Sequence, residues 1–126
     1  MTNVIKYNPK KNAPDIAIEF KGGMRVRYHL ILLSPKGNGE ILGEWRGNNI
    51  DSIEDKFSVG STGNELKFAS ISWQFDVFPT PNVPGEKYWV KMTIKQGADL
   101  IFEKEYENSN IERPEIITED GIFVPK

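Results

Sequence analysis

Met24-Arg25-Val26-Arg27-Tyr28-His29-Leu30-Ile31-Leu32-Leu33 is the stretch on which the fold turns. Met24, Val26, Tyr28, Leu30 and Leu32 fall on one parity, and Arg25, Arg27 and His29 on the other. A period of two marks a strand, because successive side chains point to opposite faces of a sheet. From Leu30 to Leu33 both parities are apolar, which places that end deep in a sheet.

The same period recurs on both sides. Ile16, Ile18 and Phe20 oppose Ala17 and Glu19. Tyr88, Val90, Met92 and Ile94 alternate with Trp89, Lys91, Thr93 and Lys95. Leu100, Phe102 and Tyr106 alternate with Glu103 and Glu105, and Lys95-Gln96-Gly97-Ala98-Asp99 reads as the hairpin turn between these two runs. Between Glu65 and Phe78 the phase changes. Leu66 and Phe68 share one parity, and Ile71, Trp73, Phe75 and Val77 the other. An extra residue near Ala69-Ser70 predicts a β-bulge, or a strand crossing between sheets. Only Ile50, Ile53 and Phe57 carry a helical spacing, which predicts one or two turns capped by Asn49 or Asp51. Clusters of Gly, Pro, Asn and Ser, such as residues 34–39, 60–64 and 79–85, punctuate the runs as turns.

No helical pattern is long enough for a crossover between parallel strands. The expected fold is therefore all-β: an antiparallel two-sheet β-sandwich of about seven to nine strands. Its patterning is similar in class to immunoglobulin-like or C2-like sandwiches, without the Cys…Trp…Cys spacing of true immunoglobulin domains. With 126 residues, the chain reads as one domain over 1–126, residues 111–126 forming an acidic tail or an edge strand.

Composition narrows the chemistry. The chain has no cysteine, which removes disulfides, thiolate nucleophiles and thiolate-bound zinc. The net charge of −2 gives no bulk attraction to nucleic acid or to acidic membranes. Charge is nonetheless uneven. Residues 1–36 hold seven Lys and Arg against Asp15 and Glu19, and residues 103–120 hold seven Asp and Glu against Lys104 and Arg113. Such ends either pair across the fold or polarise the surface for docking. No apolar leader opens the sequence and no apolar run is long enough to span a bilayer, so the default expectation is a cytoplasmic protein.

Three groups of residues invite a functional reading. His29 is the one histidine, and with Arg25 and Arg27 it would line a shallow anion site. No carboxylate stands beside it in the sequence to orient it as a general base. Asp51, Glu54 and Asp55 form the densest acidic loop outside the tail, and hard cations such as calcium take several such oxygens, with Asp76 or Asp99 as conceivable further ligands. Trp73 and Trp45 read as core, whereas Trp89 shares its face with Lys91, Thr93 and Lys95 and is the best exposed aromatic for stacking on a sugar. The loop from Pro79 to Gly85 is rigid and pre-organised for binding.

Phosphate-cradling glycine patterns, a nucleophile elbow and a zinc-binding histidine pair are all missing from the sequence. The expected function is thus a non-catalytic module that binds another protein or itself. The alternative is a small-ligand module for carbohydrate or calcium, and a hydrolase built from two carboxylates comes third. No cofactor, nucleic acid or membrane is expected.

Overall fold

The stretch around Tyr28 becomes β3 (Arg25–Leu33), and the rest of its sheet is arranged about it. The structure, a computed structural model, describes residues 2–50, 53–61, 63–81, 83, 85–109 and 111–126. β3 pairs antiparallel with β4 (Ile41–Asn48) on one side and with β6 (Ser70–Phe78) on the other. β6 pairs in turn with β9 (Glu115–Pro125), and β9 with β1 (Asn3–Tyr7). This five-stranded sheet runs β1-β9-β6-β3-β4. The second sheet has four strands in the order β5-β2-β7-β8, from β2 (Asp15–Gly22), β5 (Glu54–Ser58), β7 (Lys87–Gln96) and β8 (Asp99–Ser109). Among these strands only β3–β4 and β7–β8 are consecutive neighbours in one sheet, and the other connections cross between sheets. The fold is an all-β two-sheet sandwich, as the alternation predicts.

The alternating apolar parities meet between the sheets. Ile16, Ile18 and Phe20 with Tyr88, Val90, Met92 and Ile94 face Val26, Tyr28, Leu30, Leu32, Ile71, Trp73, Phe75 and Val77, all buried. Trp73, the largest of them, donates its indole N–H to the Tyr106 hydroxyl at 2.8 Å, so burying the ring strands no donor. The β7–β8 hairpin turns at Gly97, whose φ is 61°, and carries a bulge between Ile94 and Lys95.

Four expectations need correction. The segment with helical spacing holds β5, a strand whose Phe57 packs on the core and whose Asp55 turns inward to the Tyr28 hydroxyl. The phase change before β6 is neither a bulge nor a crossing strand. Leu66 is buried in a single helical turn, α1 (Gly63–Leu66), and Phe68 at a φ of 62° then resets the direction of the chain. Residues 115–125 are not an edge strand or a tail but lie between β1 and β6. The sheets are not wholly antiparallel either, since β1 runs parallel to β9. Trp45 sits half-buried against Phe57 and the core, near its expected place. No helix of the described residues is long and apolar enough to cross a membrane.

Candidate functional site

The residues singled out by sequence do not converge. β3 directs Arg25, Arg27 and His29 to the outer face of the five-stranded sheet. β7 directs Trp89, Lys91 and Lys95 to the outer face of the other sheet. The two sets therefore stand on opposite sides of the sandwich.

In these two sets Arg27, His29, Trp89 and Lys91 are already engaged. Arg27 grips Asp76 across the strand pair at 3.0 Å, and its guanidinium lies 5.3 Å from the centre of the Phe78 ring. His29 has an acid beside it after all: Glu44 of β4 lies 3.4 Å from its Nε2, and Arg46 stands 3.6 Å from the same carboxylate. Sequence missed this pair because the contact runs diagonally across β3–β4, through a register that only the folded sheet defines. A histidine and two arginines with two carboxylates interleaved make a mixed surface rather than an open anion cradle.

On the opposite face, Lys21 stands over the Trp89 ring at 4.6 Å, and Glu105 accepts from the Trp89 indole at 3.4 Å. Lys91 meets Glu103 at 2.9 Å, and that hydrogen bond raises its pKa. Beside the Lys91–Glu103 pair runs a shallow trough lined by Ala17, Thr93, Glu19, Glu54, Lys56 and Lys95. Glu54 is matched by Lys56 at 3.4 Å. The Trp89 face that a sugar would stack on is the face shared with Lys21.

The acidic group also parts. Asp51 lies outside the described residues. Glu54 points to the trough, whereas the next residue, Asp55, points inward to Tyr28 at 2.6 Å. Asp76 belongs to Arg27, and Asp99 to Lys11, whose hydrogen bond holds the carboxyl below its usual range. Among the described residues no three acidic or histidine side chains come together as metal ligands.

A different region stands out. The β2–β3 turn, the β4–β5 loop and the start of β7 are tied together at one end of the sandwich. The Gly23 N–H donates to the Lys87 carbonyl at 3.1 Å. Asn49 donates to the Met24 carbonyl at 2.8 Å and accepts from the Val26 N–H at 2.9 Å. On this fixed frame Ile53 is 81% and Ile50 59% exposed. Ile50, Phe78 and Arg25 border one hollow there, and Arg25 makes no ion pair with any described residue. The helical spacing of these two isoleucines with Phe57 predicts a short helix and gives no sign of their exposure.

No protein-family model matches the chain, and no curated protein matches it. Two solved structures are similar in fold. One is a domain of unknown function, DUF4425, from Bacteroides vulgatus ATCC 8482, with 13% identity and a TM-score of 0.56. The other is a DUF4425 family protein from Bacteroides ovatus ATCC 8483, with 14% identity and a TM-score of 0.59. Each comparison covers 88% of this chain and 94% of the other. At that identity the likeness speaks for the two-sheet architecture and not for any chemistry carried on it.

Proposed function

We propose that this domain is a non-catalytic interaction module that engages a protein segment at the loop end bearing Ile50 and Ile53. The observation that carries this reading is the exposure of two large apolar side chains on a loop fixed at both sides by backbone hydrogen bonds. Isolated exposed apolar residues are ordinary, but here Ile50 adjoins Phe78 and Arg25, which makes no ion pair with any described residue, and Ile53 follows on the same loop. A fixed frame loses little entropy on binding. The complementary partner is an extended segment in which an apolar residue is flanked by carboxylates. The apolar side chain would cover Ile50 and Ile53, and a carboxylate would meet Arg25.

The test uses two sets of synthetic peptides, one with Leu or Phe between Asp and Glu, the other with the acids replaced by Lys. Fluorescence anisotropy should show binding of the acidic set alone. Arg25→Glu and Ile53→Asp should each weaken it by about tenfold or more. Absence of binding to either set, or binding indifferent to both substitutions, defeats the reading.

A further inference from the structure

We propose that two copies of this chain pair edge to edge through β4, antiparallel, with Trp45 of one copy opposite Trp45 of the other. This goes beyond the loop-end reading, since it concerns another surface and another occupant.

β4 closes one side of the five-stranded sheet, with β3 as its neighbour on the inner side alone. Its outer backbone edge receives no hydrogen bond from any described backbone group. An eight-residue edge strand with neither proline nor lysine is an open template for another strand. The strand reads Ile41-Leu42-Gly43-Glu44-Trp45-Arg46-Gly47-Asn48.

Its sequence is self-complementary about Trp45. In an antiparallel pair centred there, Glu44 of each copy stands opposite Arg46 of the other. Both side chains project from the outer face, Arg46 70% and Glu44 38% exposed. The two cross-strand contacts are thus opposite in charge, and directly opposed residues are the pairs that set register. On the inner face Gly43 of each copy falls opposite Gly47 of the other. Neither position tolerates a side chain within its own chain. A Cβ on Gly43 would sit 2.5 Å from the Trp45 ring, and one on Gly47 would sit 2.3 Å from the Tyr28 hydroxyl. The Trp45 ring, laid along its own strand and against Phe57, leaves its partly exposed surface for the second copy to cover.

The two edges of the second sheet, β5 and β8, lack this property. Pairing β8 with itself about its centre sets Lys104 against Lys104 and Glu103 against Glu105. Pairing β5 with itself about its centre sets Lys56 against Lys56 on the outer face. Charge complementarity therefore selects β4 over β5 and β8, and a second copy of the chain as its occupant.

Sedimentation velocity of the full chain over a wide concentration range tests this. The wild type should show a monomer–dimer equilibrium. Glu44→Arg and Arg46→Glu should each raise the dimer dissociation constant by about tenfold or more, because each sets like charges opposite one another twice. An equimolar mixture of the two variants should dimerise about as well as the wild type, because each mixed pair restores two Arg–Glu contacts. That mixture also proves both variants folded. A wild type that stays monomeric throughout, single variants that dimerise undiminished, or a mixture that fails to associate would each overturn the proposal. None of these outcomes bears on peptide binding at the loop end, which Arg25 and Ile53 control.

Discussion

Tyr28 is the residue through which the two sheets speak to each other. It rises from β3, stacks on Phe20 at 5.9 Å, meets Phe57 and Phe75 edge-on or tilted, and donates its hydroxyl to Asp55 on the opposite sheet. Gly47 makes room for it on β4, in direct register. A methyl group at Gly47 would meet the Tyr28 hydroxyl at 2.3 Å and its ring at 2.6 Å. The ring cannot swing aside without breaking its bond to Asp55. Gly47→Ala is therefore expected to destabilise the fold by about 1–3 kcal/mol, read from urea midpoints.

All four tyrosines hold their protons more tightly than a free phenol. Burial raises Tyr7, Tyr28, Tyr88 and Tyr106 alike, and the carboxylates of Asp55 and Glu115 add to the effect at Tyr28 and Tyr88. The folded state thus keeps phenolic protons that the unfolded state releases near pH ~10. Stability from this source is whole below that pH and falls as pH climbs through the folded values. Melting temperature should drop steeply above about pH 10, together with delayed tyrosinate absorbance. A titration in which the four tyrosines ionise like free phenols while the fold persists contradicts this.

At the scale of elements, the strands that sequence made plain are those whose inward parity is wholly apolar. β2, β3 and β7 carry Ile16, Ile18 and Phe20, then Val26, Tyr28, Leu30 and Leu32, then Tyr88, Val90, Met92 and Ile94. β5 and β9 were obscured because acids occupy inward positions. Asp55 and Phe57 share the inner side of β5, and Glu115, Ile117 and Glu119 that of β9. Each acid is repaid by a partner elsewhere in the chain. Tyr28 reaches Asp55, Tyr88 reaches Glu115 at 2.7 Å, and Asn3 reaches Glu119 at 2.9 Å. Alternation cannot reveal such a strand, because the compensating groups lie far off in sequence. The site residues were less legible for the same reason: parity places a side chain on a face, but not beside Glu44 or Lys21.

The connection from β1 to β2 shows what one polar side chain can hold. Gln96, at the end of β7, donates to the carbonyls of Asn8 and Asn12 at 3.0 Å each and accepts from the Asn8 N–H at 2.7 Å. It is buried, so these backbone groups have no easy substitute in water. Gln96→Ala should cost about 1–3 kcal/mol and speed hydrogen exchange at Asn8 while leaving β6 protected. Unchanged exchange there would mean that the loop is held by other means.

For the molecule as a whole, no ion pair among the described residues joins the basic stretch 1–36 to the acidic stretch 103–120; the charges of each are met elsewhere or left on the surface. Lys11 pairs with Asp99, Arg27 with Asp76 and Lys104 with Glu119. Exposed pairs of this kind add little stability and serve mainly to balance the surface. Integrity depends far more on β9. It hydrogen-bonds to β6 on one side and β1 on the other, and Phe123 is fully buried. Removing residues 115–126 should abolish the cooperative unfolding transition and the near-ultraviolet signal of Trp73. A truncated chain that still melts in a single sharp step would show the remaining strands to be self-sufficient.

The place of β9 also sets a schedule for a chain emerging from the ribosome. β3, β4 and β6 are released early and can pair at once. The far side of β6 then stays bare until β9 has been synthesised, and β1 waits beside it for the same strand. For that interval a strand destined for the interior offers an open edge to any other nascent chain. Sandwich pairings this distant in sequence also close slowly. The hazard in producing this protein is thus one of timing: aggregation belongs to the growing chain, and slower elongation before β9 should worsen it.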